Sequence, residues 1–183
     1  PCVWNRGYTL HSSDVMKAAG GPKKEPLTDM PLLPGDDVLK ALVHQAHRQS
    51  LRIVPWFEYG LMIPETSAIA LKHPDWLTTT QSGQTVESPL TVSTKLPKPL
   101  QNLQLEMAGG NLAWLNPAHP DVQQFLTDLI VEVVERYPVD GIQLDDHFGL
   151  PVAFGYDPYT VEKYKAEHSG NAPPNDPNDA GWL

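Results

Sequence analysis

The stretch DGIQLDDHFGLP, residues 140–151, places Asp145, Asp146 and His147 directly after a short apolar run. Groups of these types support three kinds of chemistry. A carboxylic acid and a carboxylate together cleave glycosidic bonds, one protonating the leaving oxygen while the other attacks C1 or activates water. Oxygen and imidazole ligands bind a divalent cation. An acidic side chain just past a strand also caps the turn that follows, and for any single Asp that structural role is the commoner one. The run LRIVPWFEYG, residues 51–60, carries a second carboxylate, Glu58, near its end. Period-two alternation groups Gln143 with Asp145, and Val54 and Trp56 with Glu58, so each run ends on a carboxylate. Two runs ending alike, with Trp56, Tyr59, Trp114 and Phe148 near them in sequence, favour sugar chemistry over two unrelated caps.

The histidines divide by context. His44 and His47 share a helix, His119 stands at a helix start, and His73 and His168 lie in polar surroundings. His11 and His147 follow strands and are placed to reach a site at the strand ends; His147 would bond a sugar hydroxyl or tune Asp145. Arg6 and Asn116 complete the candidate sugar-binding set. Consecutive residues seldom converge on one ion, so Asp145, Asp146 and His147 rank lower as a metal site and no metal is expected. No phosphate-loop, dinucleotide-binding or Gly-x-Ser-x-Gly pattern is present, and no cofactor is expected.

These groups need elements to hold them. CVWNR, residues 2–6, reads as a strand, followed by a polar loop containing GGPKKEP and LLPGDD. DDVLKALVHQAHRQS, residues 36–50, reads as a helix, with Val38, Leu39, Leu42, Val43 and Ala46 on one face and Asp36 and Asp37 at its positive end. Residues 51–60 read as the second strand, in which Pro55 removes a ladder donor. A long irregular stretch follows, with a short helix near 65–72 and a hairpin turning at Gly109-Gly110 within NLQLEMAGGNLAWL. A helix opens at Pro120, with Val122, Phe125, Leu126, Leu129, Ile130, Val133 and Val134 as its buried stripe. Gly141–Asp146 is the third strand, expected to be the best buried and parallel to residues 51–57. A last helix begins with Asp157 as cap and Pro158 just inside.

Strand–helix alternation implies an α/β fold with parallel strands and right-handed crossovers. A complete (β/α)8 TIM-type barrel needs roughly 250 residues. The 183 residues therefore correspond to about three β/α units, with a long loop after the second strand. The expectation is a single barrel segment, 1–183, truncated at both ends; the alternative is a small open α/β sheet complete in itself. Asp145 and Glu58 would then open onto one cleft at the C-terminal mouth, where such folds place their chemistry.

Composition narrows the partners. With 13 basic against 22 acidic residues the net charge is −9, which argues against nucleic acid. Cys2 is the only cysteine, so neither a disulfide framework nor a cysteine-based zinc site exists. No apolar run approaches the ~18 residues of a membrane span. No export signal is visible, and Cys2-Val3-Trp4 reads as a strand at the first residues, as if the chain began in mid-fold.

The segments VWNRGYTL, HRQSLRIVPWFEYGLM, HPDWLT, WLNPAHPDVQQFLTDLIVEVVERYPVDGIQLDDHFGLP and GYDPYTVEKYKAEHSG resemble the family-ten-like glycosyl hydrolases of bacteria. The resemblance covers nearly the whole chain, and VDGIQLDDHFGLP is its most specific part. It implies a (β/α)8 barrel of which strands two to four are seen here, a poly- or oligosaccharide substrate of the cell envelope or surroundings, and an exported protein. GIQLD is also similar in arrangement to the fourth strand of α-amylase-type barrels, which implies Asp145 as nucleophile or base. Glu58 is then the candidate acid or a sugar-binding group, with Asp146 and His147 in support. The rival is a carbohydrate-binding or scaffold domain that keeps the aromatics without the chemistry.

Overall fold

The computed structural model describes residues 1–22, 37–86, 97–98 and 110–182. In chain order the elements are β1 (Cys2–Asn5), β2 (Tyr8–Thr9), α1 (Asp14–Ala19), α2 (Val38–Arg48), β3 (Trp56–Phe57), β4 (Met62–Pro64) and α3 (Ala68–Lys72). Then follow β5 (Leu112–Trp114), α4 (Pro120–Arg136), β6 (Gln143–Leu144) and α5 (Pro158–Glu167). They form two compact units, Pro1–Gly60 with Gln123–Gly149, and Leu61–Val122 with Leu150–Leu183.

The first unit is built on a sheet in the order β2-β1-β3-β6. β1 and β2 form an antiparallel hairpin; β1, β3 and β6 run parallel. The expected parallel pairing of the second and third sequence strands is therefore present, with Trp56 opposite Gln143 and Phe57 opposite Leu144. Parallel neighbours need a crossover, and the connection leading into each of β3 and β6 contains a helix. α2 begins where the Asp37 side chain accepts the Lys40 N–H, and it buries Leu39 and Val43 while Leu42 stays 41% exposed. Along α4, Phe125, Leu126, Leu129 and Val133 are buried, and Phe125 meets Trp4 of β1 edge-on with ring centroids 5.9 Å apart. Each such side chain contributes about 1.5–3 kcal/mol when fully buried.

Three expectations need correction. Residues 51–60 do not form one regular strand. Pro55 offers no N–H, and strand geometry is confined to Trp56–Phe57, although Asp140 N–H to Ile53 C=O and Gln143 N–H to Pro55 C=O extend the parallel ladder toward the N-terminal side. Gly141–Asp146 is not the best-buried strand. Among the described residues β6 is the outermost strand of the sheet, flanked only by β3, and Leu144 is 50% exposed. Val134 is 52% exposed, because it lies at the margin of the α4 stripe rather than along its centre.

The second unit has its own two-stranded antiparallel sheet, β4 with β5, prolonged by the Leu77–Leu115 bridge. Short α3 falls where a helix near 65–72 was expected, capped by Ser67, and α5 starts as expected, its Asp157 side chain accepting the Thr160 N–H with Pro158 in the first turn. The expected hairpin about Gly109-Gly110 has its first arm outside the described residues, as do the polar loop over 23–36 and Asp36. Its second arm, β5, pairs with β4. Among the described residues no helix is long and apolar enough to cross a membrane.

Candidate active site

Parallel pairing of Phe57 with Leu144 carries a direct consequence for the next residue in each strand. Glu58 and Asp145 occupy matching positions just past the C-terminal ends of neighbouring strands. Asp145 turns out to be a cap as well: its Oδ1 accepts the His147 N–H at 3.2 Å and opens the short 3-10 turn Asp146–Phe148. That turn folds the His147 ring back, so that Nδ1 lies 2.6 Å from Asp145 Oδ2. The Asp145 side chain is 9% exposed, whereas His147 is 39% and Asp146 95% exposed.

Behind His147 stands a stack. The Tyr59 ring lies 5.3 Å from the imidazole at an interplanar angle of 17°, and the Arg6 guanidinium sits 5.1 Å above the Tyr59 ring. Arg6 Nη2 also donates to Tyr59 Oη at 3.1 Å. The bends that allow this are uncommon for side-chain-bearing residues, since Arg6 and Tyr59 both adopt positive φ. Gly60, also at positive φ, completes the turn. A Cβ there would lie 2.6 Å from the His147 carbonyl oxygen and nearly as close to Phe148 Cδ2, so only glycine lets the loop after β3 pass here. Trp4 Nε1 fastens the same loop by donating to Gly60 C=O at 3.0 Å.

Glu58 is held more loosely. Its Oε2 accepts from Asn5 Nδ2 at 3.3 Å and from the Cys2 thiol at 3.5 Å. Burial, with the Glu58 charge beside it, pushes the Cys2 thiol up to about 11, so it stays a protonated donor rather than a nucleophile. Among the described residues the buried atoms Asn5 Oδ1, Arg6 Nε and Trp56 Nε1 have no hydrogen-bond partner. Sequence reasoning does not single out Asn5, Cys2 or Gly60 for this site. Asn5 gives no signal of its own, whereas Gly60, ending an apolar run, is a readable turn marker.

Other candidates have different surroundings. His11 is 1% exposed, with Nε2 3.0 Å from Glu132 Oε2 of α4 and its ring edge-on to Tyr137. Burial lowers its pKa, and the neutral ring donates from Nε2 while Nδ1 has no partner among the described residues. Burial would raise Glu132, but hydrogen bonds from Ser13, the Asp14 N–H and His11 outweigh it and hold the carboxyl below its usual range. His11 is thus taken up by the interior of its unit rather than by the strand ends. Trp114 and Asn116 belong to the second unit, where Trp114 packs on Phe154 and Asn116 bonds Asp157 and Thr160. Phe148 lies in the first unit, beside Gly60.

Against the expectation that consecutive residues diverge, the 3-10 turn brings one ligand atom each of Asp145, Asp146 and His147 within 4.8 Å of one another. Exposed acidic groups often cluster this way without an ion.

The whole chain, residues 1–183, matches the glycosyl hydrolase-like 10 family, and the protein belongs to it. Glycosyl hydrolase DigH of Escherichia coli K12 is 31% identical over 115 residues, 63% of this chain and 23% of that protein. Glycosyl hydrolase YngK of Bacillus subtilis is 26% identical over 140 residues, 72% of this chain and 22% of that protein. The chain thus spans under a quarter of the length of these relatives. Among solved structures, the maltogenic α-amylase AmyB of Thermotoga neapolitana superposes with a TM-score of 0.42 at 12% identity, over 71% of this chain and 25% of that one.

Proposed function

We propose that this chain supplies part of the active site of a glycoside hydrolase acting on a poly- or oligosaccharide, within a (β/α)8 barrel. One observation carries the reading: Asp145 and Glu58 end neighbouring parallel strands at matching positions. Asp145 serves as nucleophile or base, its Oδ2 fixed by His147. Glu58, bonded on Oε2 alone among the described residues, serves as acid or sugar-binding group. Tyr59 and Arg6 support His147 from behind, which makes them positioning residues, while Trp56 of β3 offers an aromatic platform for a sugar. Asp146, nearly fully exposed, assists at the rim.

The test is hydrolysis of oligosaccharides and chromogenic glycosides by the full-length protein. Asp145→Asn is expected to lower kcat by about 10⁴-fold or more, the scale of losing a group that acts on the reacting atoms, and Glu58→Gln to lower it less. Sugar binding without turnover in the unaltered protein would favour the non-catalytic rival. The 4.8 Å convergence of Asp145, Asp146 and His147 favours one further reading, metal-assisted hydrolysis. It predicts activity lost to EDTA and restored by a divalent cation.

A further inference from the structure

At the other end of the same strands, away from Asp145, a groove of about 420 Å³ opens between α2 and the C-terminal end of α4. Its walls are cationic or imidazole groups: Lys40, His44, His47 and Arg48 from α2, and Arg136 from α4. The spacing of residues 40, 44 and 47–48 puts them on one helical face. The floor is apolar, made by Val43, Tyr137 and Pro138. Among the described residues no carboxylate lines the groove, although acidic residues outnumber basic ones 22 to 13 in the chain.

Neighbouring acids stiffen these walls without lining the groove. Asp140 Oδ2 holds His47 Nε2 at 2.8 Å and the Ile53 N–H, and Asp37 accepts the Tyr137 hydroxyl at 2.8 Å. Arg136 is held through Nη1, to Glu132 and the Ser12 carbonyl. Lys40 and Arg48, two cations on an exposed helix face, form no ion pair among the described residues.

We infer that this groove binds a small organic anion, a carboxylate or phosphate ester carried on an apolar ring or chain. The volume falls in the range of small-molecule sites, which run from about 300 to 1,000 Å³ with few polar groups fixing orientation. The apolar floor takes the body and the Lys40 and Arg48 cations take the charged oxygens, with Arg and Lys matched to such groups. The inference concerns the first unit alone and is independent of the role proposed for Asp145.

The experiment is calorimetric titration of the full-length protein with phenyl phosphate, benzoate and benzyl alcohol. The two anions separate phosphate from carboxylate preference; the alcohol removes the charge and keeps the ring. Binding by at least one anion, weakened with rising salt and absent for benzyl alcohol, is expected. Lys40→Glu with Arg48→Glu should weaken it about tenfold or more with the unfolding midpoint unchanged, both positions being exposed on α2. If the double variant unfolds, Arg48→Gln alone should still weaken binding several-fold. No binding of either anion at about 10 mM overturns the proposal, as does equal binding of benzyl alcohol or an affinity indifferent to these substitutions.

Discussion

Asp157 and Asp145 both cap a helical turn, and both side chains are mostly shielded from water, yet the two sites are built differently. Asp157 in the second unit is 2% exposed and accepts four hydrogen bonds, from Thr78 Oγ1, Asn116 Nδ2, and the N–H and Oγ1 of Thr160. The partners are satisfied in turn, since Thr78 Oγ1 accepts the Gly155 N–H and Asn116 Oδ1 the Ala118 N–H. Among the described residues the Asp145 side chain receives both of its bonds from one residue, His147, itself half-exposed. Burial alone does not distinguish the two carboxylates. Under the role proposed for Asp145, the difference is that donors from distant segments have consumed the capacity of the Asp157 oxygens and not of the Asp145 pair.

The contrast fails if the two substitutions behave alike. Asp157→Ala removes the acceptor for two hydroxyls, an amide and a helix N–H inside the second unit. It should cost about 3–5 kcal/mol, as for other broken buried networks. Asp145→Asn keeps the shape and most of the cap, so it should change stability by less than about 1 kcal/mol while turnover disappears. Urea unfolding and hydrolysis, measured on the same samples, check both halves. A loss of stability at Asp145 comparable to that at Asp157 would make Asp145 a cap and no more.

Gly60→Ala probes the geometry around Asp145 rather than its charge. The added Cβ meets the carbonyl oxygen of His147, which is backbone and cannot swing aside. With the positive φ, a cost of about 2 kcal/mol is expected. Because the strain falls on the residue that holds Asp145, kcat should drop by more than the stability change explains. An unchanged kcat in a folded variant would detach the stack from catalysis.

Much of this is legible in the chain. The stripe on α4, the Asp157–Pro158 start of α5 and the parallel ladder follow from local patterns that the structure keeps. The strand-end carboxylates follow from alternation, which needs only the neighbouring residues. The rest depends on tertiary context. Nothing local distinguishes Asn116 in a saturated network from Asn5 beside Glu58, and nothing local shows that His11 meets Glu132, 121 positions away. The β2 hairpin and the β4–β5 sheet escape the sequence because strands of two or three residues carry too little pattern.

Acid should act on the first unit through that His11–Glu132 pair. Burial lowers the His11 pKa on folding, so the unfolded chain takes up the proton first as pH falls below about 6.5. Stability is full above that value and declines below it, by at most about 1.4 kcal/mol per pH unit for one proton. Glu132, also lowered on folding, adds a second loss beginning below about 4.5. His11→Gln keeps a donor for Glu132 and should flatten the first decline alone, seen as urea midpoints between pH 7 and 5. A decline of unchanged slope would move its origin elsewhere.

The smallest expected effect tests the sheet itself. Leu144 is half exposed, and among the described residues nothing pairs with the outer edge of β6. In the 183-residue chain, Leu144→Ser should therefore cost less than about 1 kcal/mol, against about 2–5 kcal/mol for Leu129→Ala in the α4 stripe. If the chain is a barrel segment, a further strand covers that edge in the full-length protein, and Leu144→Ser costs about 2 kcal/mol there. An edge of this kind also promotes association, so the isolated chain should unfold without a sharp transition and tend to aggregate. A monomer that melts cooperatively, with Leu144→Ser equally mild at both lengths, would instead make the four-stranded sheet a finished one and end the barrel proposal.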